Sequence, residues 1–113
     1  MKTEQQVTVK EITVHQLKSL FDSKVDFQLI DVREAYEHKI ANIGGKLIPL
    51  GQIYFHLSEI DRDRKVVVYC RSGIRSAEAI RLMEEATGLE NLFNLKDGII
   101  EWSMEIDSTI LID

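Results

Sequence analysis

Residues 66–80 read VVVYCRSGIRSAEAI: an unbroken apolar run, the chain's sole cysteine at Cys70, a turn carrying Arg71, Gly73 and Arg75, and then a helical pattern. An apolar run without alternation is the signature of a strand covered on both faces. A buried strand that passes within a few residues into a helix is the repeating step of an α/β sheet. In such sheets ligands sit at the carboxyl ends of the strands, and Cys70 falls at one.

The neighbouring segments continue the alternation. VTVKEIT begins with a short strand, and VHQLKSLF sets Val14, Leu17, Leu20 and Phe21 at helical spacing behind Thr13, an expected N-cap. FQLIDV, residues 27–32, is a second covered strand, and it brings Asp31 to its carboxyl end beside Arg33. REAYEHKI reads as a short helix or turn. After Gly44 and Gly45, KLIPL is a short strand stopped by Pro49. GQIYFHLSEI places Ile53, Leu57 and Ile60 on one helical face, and SAEAIRLMEEA turns Ala77, Ile80 and Met83 inward before Gly88 ends the helix. NLFNL is a last strand and IIEWS a last helix, with Trp102 packing at helical spacing from Ile99. The expectation is an α/β fold with a mainly parallel central sheet of about five strands, flanked by helices on both faces. One domain spans residues 1–113, with a flexible start over 1–6 and a C-terminal tail over 103–113.

Composition narrows the function. The chain is 44% hydrophobic and 29% charged, as a foldable globular domain should be. Its net charge of −5 opposes nucleic acid and anionic lipid, so neither is an expected partner. No apolar stretch approaches a membrane span or a signal peptide, and a lone thiol suits a reducing cytoplasm. A monomer is expected. His15, His38 and His56 lie far apart in sequence and make no metal cluster with one cysteine.

The cysteine turn reads as chemistry. A loop whose N–H groups converge, followed by a helix aiming its amino end at the sulfur, favours thiolate over thiol. Cysteines placed in this way titrate at roughly 3.5–7.5, against about 8.5 for a free one. Arg71 and Arg75 add positive charge, and Gly73 lets the loop close. The alternative is a cysteine that serves only as a small core hydrophobe. A spectator has no need of Arg71, Gly73 and Arg75 in the next five positions. Asp31 could orient the loop, but a carboxylate paired with Arg33 has the simpler role of structural support. Tyr36 and Phe55 are core or rim residues, or line a substrate mouth.

Together LIDVREAYE, HKIANIGGKLIPL, VVVYCRSGIRSAEA and NLKDGIIEW, in this order and spacing, resemble single-domain rhodaneses along nearly the whole chain. The resemblance implies a sulfurtransferase. Cys70 would take a sulfane sulfur from a small sulfur-donor anion such as thiosulfate, or from a persulfide-bearing protein. It would hold that sulfur as a persulfide cradled by Arg71, Ser72, Gly73, Ile74 and Arg75, and pass it to a thiol or cyanide. No cofactor is implied beyond this covalent intermediate. GGKLIPL and the EID after Trp102 further resemble rhodanese modules of adenylylating enzymes that charge sulfur-carrier proteins, which makes such a carrier a possible acceptor; the tail STILID departs from them. Many relatives have a glycine pair where this chain has Asp97-Gly98, a substitution that turn geometry tolerates. Two alternatives remain. One is a sulfur-relay or binding module that works only with a protein donor. The other is a cysteine phosphatase or arsenate reductase; the related phosphatases place five residues between cysteine and arginine, where Cys70 and Arg75 enclose four.

Overall fold

A computed structural model describes residues 8–112; the flexible start expected over residues 1–6 lies outside the described residues. The elements run β1 (Glu11–Ile12), α1 (Val14–Asp22), β2 (Gln28–Asp31), α2 (Ala35–Ile40), β3 (Lys46–Leu47), β4 (Val66–Tyr69), α3 (Ile74–Thr87), β5 (Leu92–Leu95) and α4 (Gly98–Glu105). The five strands form one sheet in the order β1-β5-β4-β2-β3, and every pairing is parallel. The α/β expectation therefore holds, with VVVY as the central strand, all four residues buried.

Alternation along β4 divides the core in two. Val66, Val68 and Cys70 face one layer with Ile30, Ile48, Ile53, Ala79, Ile80 and Met83, beneath α3. Val67 and Tyr69 face the other, where α1 and α4 bring Leu17, Ile99 and Trp102 against Leu29 and Leu95. Trp102 is thus a core residue, stacked edge-on against Phe21 at 5.8 Å. Thr13 caps α1 as expected: its Oγ accepts from Gln16 N at 3.1 Å, while Gln16 Oε1 accepts from Thr13 N at 2.8 Å. Gly88 ends α3 with φ +75°.

Three local expectations change. Residues 50–59 form two short 3-10 turns (Leu50–Phe55 and Leu57–Glu59) rather than one α-helix. Their longer rise per residue carries the chain further across α3 and still buries Ile53. The inward face of α3 uses Ala79 instead of Ala77, because the buried stripe includes the polar Ser76, which a search for apolar spacing passes over. The C-terminal segment is not a free tail: α4 extends through Glu105, and Ile106, Ile110 and Ile112 pack on the α1/α4 core layer. Among the described residues no helix is long and apolar enough to cross a membrane.

Candidate active site

β4 delivers Cys70 to the carboxyl edge of the sheet, and the chain turns at once into α3. Gly73 makes the turn possible with φ +101°, a conformation that a side chain resists. The turn aims donors at the sulfur. Gly73 N–H reaches Cys70 Sγ at 3.1 Å, Ser76 N–H at 3.3 Å, and the Ser76 hydroxyl lies 3.3 Å away. Ser76 is in the first turn of α3, where amides lack helical acceptors and the helix dipole is positive. Cys70 itself is only 1% exposed. It is more enclosed than an open nucleophile, yet polar hydrogens meet its sulfur where a purely apolar pocket would offer none.

The turn's backbone is held from behind by α4. Ile99 N donates to Cys70 O at 3.0 Å and Ile100 N to Arg71 O at 3.1 Å. This close approach requires Gly98, with φ +68°; a Cβ there would lie 2.5 Å from Arg71 C and 2.7 Å from Ser72 N. Asp97 takes the left-handed conformation before it, φ +65°.

The cations are disposed differently from the expectation. The side chain of Arg75 does not stand over the sulfur as a free charge, because it forms a two-pronged ion pair with Glu37 of α2 at 2.7 and 2.9 Å. The guanidinium holds the Glu37 carboxyl down at about 2. Arg71 and Ser72 are exposed, and Ile74 is 76% exposed, so the loop presents its backbone inward and its side chains outward. Tyr36 and Phe55 are exposed too, not core.

Asp31 and Arg33 form a separate buried unit at the neighbouring strand end. Arg33 donates to Asp31 through its backbone N at 3.0 Å, Nε at 2.9 Å and Nη2 at 2.8 Å, and His38 Nδ1 lies 2.8 Å from the same carboxylate. Burial alone would raise the Asp31 carboxyl, but the bonds from Arg33 and His38 outweigh it and hold it below its usual range. Arg33 also donates to Ala41 O and lies over the Tyr69 ring, tying α2's exit to the central strand. This pair supports the architecture, whereas Cys70, Gly73 and Ser76 converge. Ser76 and Glu37 are not among the site residues expected from the sequence. The signal available for Glu37 was an acidic residue in the helix that follows the Asp31 strand end, opposite the arginine turn.

A match to the rhodanese-like domain covers residues 13–105. The chain belongs to the rhodanese-like domain family. This rhodanese-like domain is 38% identical over 97 residues to a protein of Allochromatium vinosum named Sulfurtransferase, covering 84% of this chain and 89% of that protein. It is 37% identical over 98 residues to the Mycobacterium tuberculosis protein named "Probable adenylyltransferase/sulfurtransferase MoeZ", covering 84% of this chain and 25% of that one. The domain thus spans about a quarter of the MoeZ length. A solved rhodanese-like domain protein from Staphylococcus aureus superposes with a TM-score of 0.78 at 27% identity, over 93% of this chain and 99% of that one.

Proposed function

We propose that this rhodanese-like domain is a sulfurtransferase in which Cys70 is the nucleophile and the carrier of the transferred sulfur. The observation that supports this most directly is the pair of N–H groups that donate to Sγ at the start of α3, with the Ser76 hydroxyl beside them. Such donors favour an anion on sulfur, both before loading and in the persulfide. The Cys70 thiolate attacks the outer sulfur of a donor; a new S–S bond forms, the donor's own bond to that sulfur breaks, and its electron pair leaves with sulfite or a thiolate. An incoming thiolate or cyanide then attacks the outer sulfur of Cys–S–S⁻, forming a persulfide or thiocyanate and returning Cys70 as thiolate. Two half-reactions through a covalent intermediate give ping-pong kinetics. No resident cofactor enters the scheme, and a reducing compartment such as the cytoplasm keeps Cys70 ready to load.

The four-residue interval between Cys70 and Arg75 suits a single sulfur atom better than a tetrahedral oxyanion, which favours sulfur transfer over phosphatase chemistry. A narrower reading, a relay that accepts sulfur from a protein persulfide, draws support from the Glu37–Arg75 pair, which uses up a charge that thiosulfate would need. The likeness to a Bacillus subtilis protein named "Putative sulfur carrier protein YrkF" agrees with sulfur passing between proteins. Mass spectrometry after incubation with thiosulfate, and separately with a persulfide-loaded cysteine desulfurase, tests both readings. The expected result is a gain of one sulfur atom on Cys70, removed by cyanide and absent in Cys70→Ser. Transfer that survives Cys70→Ser would overturn the assignment.

A further inference from the structure

The two N–H groups that donate to Sγ, and the hydroxyl beside it, belong to Gly73 and Ser76, and one buried side chain on another strand holds both residues. Asn94 of β5 is 3% exposed and pairs in register with Val68, two positions before Cys70. Its Nδ2 donates to Gly73 O at 3.1 Å, and its Oδ1 accepts from the Ser76 hydroxyl. The assignment of the amide follows from chemistry. A carbonyl oxygen only accepts, so the amide nitrogen must face Gly73, the amide oxygen must face Ser76, and Ser76 must donate.

A hydroxyl has one proton to give. While that proton lies on the Asn94 side, Ser76 Oγ meets Sγ at 3.3 Å with a lone pair, which complements a thiol S–H. An anionic sulfur draws the same proton toward Sγ, and each time it turns Asn94 Oδ1 loses its donor. The amide and the sulfur therefore compete for a single hydrogen inside a closed site, where a polar atom left unmatched is costly.

We infer that Asn94 is the positioning residue of this site: it fixes the Gly73 peptide whose N–H meets the sulfur, and it governs, through the shared Ser76 proton, how readily Cys70 presents its sulfur as an anion. This rests on Cys70 being a reactive thiol and deepens the proposed function by naming a residue that regulates the nucleophile without touching it.

Alkylation of Cys70 by iodoacetamide tests it, since the chain has no other cysteine. Asn94→Asp keeps the shape, removes the donor to Gly73 and binds the Ser76 proton more tightly; alkylation near pH 7 should slow about tenfold. Near pH 10, where an ordinary thiol is already ionised, the rate should return to within about twofold of the parent. A merely structural defect would alter both rates. Ser76→Ala should slow the pH 7 reaction about threefold or more, and the double variant should lose less than the product of the two single losses. An unchanged pH 7 rate in a folded Asn94→Asp protein, or losses that multiply in full, would overturn the inference. If Asn94→Asp does not fold, Ser76→Ala decides alone, and a parental rate at pH 7 overturns the role of the shared proton. Because alkylation uses no sulfur donor, a protein that alkylates as expected but never gains sulfur would sink the sulfurtransferase reading and leave the role of Asn94 standing.

Discussion

Replacing Gly98 by alanine should damage the cysteine turn from behind, without touching any residue that faces the sulfur. Two costs combine. The backbone at φ +68° is left-handed, where a side chain costs about 1–2 kcal/mol. The added Cβ would also stand 2.5 Å from Arg71 C and 2.7 Å from Ser72 N, both well inside the 3.4 Å at which ordinary contact begins, so the Arg71–Ser72 peptide must retreat. Overpacking of this kind typically adds about 1–3 kcal/mol, for a total loss of roughly 2–5 kcal/mol. The retreat pulls on the bonds from Ile99 N and Ile100 N to Cys70 O and Arg71 O, and it moves the turn that places the Gly73 N–H. A displacement approaching 1 Å at a reacting group can cost about a hundredfold in rate. Gly88→Ala is the control, because Gly88 has a similar φ of +75° and no atom within 4 Å of its would-be Cβ. It should lose only the backbone share, about 1–2 kcal/mol, and keep its loading rate. The assay is urea unfolding of both variants, with the rate of Cys70 persulfide formation measured where both remain folded. If Gly98→Ala matches Gly88→Ala in stability and in rate, the reasoning about the packed turn is wrong.

Asp31→Ala would strand the Arg33 guanidinium, 3% exposed, without its carboxylate, and should cost about 3–5 kcal/mol in urea unfolding; a loss under about 1 kcal/mol would show that the pair is not a structural anchor. Glu37 sets an acid limit. Its carboxyl lies at about 2 in the folded chain against 4.5 otherwise, so its contribution is complete above about 4.5 and is lost as the pH falls toward about 2. Allowing for solvent screening on the Arg75 side, which is about one-third exposed, that contribution is about 2 kcal/mol. Glu37→Gln should remove this part of the acid sensitivity, and a variant whose stability between pH 5 and pH 2 falls as steeply as the parent's would contradict it.

How far the sequence carries depends on whether a feature is local. The run VVVYC needs no partner to declare itself, since continuous apolar β-branched residues bounded by charge are a buried strand wherever they pair. The cysteine turn was legible for a similar reason: Cys70, Gly73 and the start of α3 lie within a few positions, and the geometry that brings the Gly73 and Ser76 N–H groups to Sγ is set by the turn itself. What stayed hidden is what other strands and helices bring to the turn. Arg75 was legible as a cation but not as a neutralised one, because Glu37 lies 38 residues away and meets it only once the chain has folded. Asn94 reads in isolation as a polar interruption in a short strand, and only the register with β4 gives it a site to serve. The two 3-10 turns were hidden for another reason. A spacing of four and then three apolar positions at Ile53, Leu57 and Ile60 is that of an α-helix, and nothing in the pattern marks the break at His56 that divides the segment into two 3-10 turns.

The pairing of Arg75 with Glu37 changes what kind of attraction the site exerts. A free guanidinium would draw anions from a distance, but a paired one presents little net charge, and the chain around it carries −5 overall. What faces the sulfur instead is a set of fixed dipoles, the amides of Gly73 and Ser76 and one hydroxyl, whose influence fades within about a turn of helix. Such a ring stabilises a negative sulfur already inside it far better than it gathers one from solution. The enclosure of Cys70 acts in the same direction, because a site 1% exposed admits the tip of a persulfide more easily than a hydrated dianion that must shed its water. On the proposed sulfur-transfer reading, short range and tight enclosure together would favour a donor brought to the turn by contact between proteins over one that arrives by electrostatic steering. The exposed side chains around the turn, Ile74 and Tyr36 among them, are then the groups that such a donor would meet first.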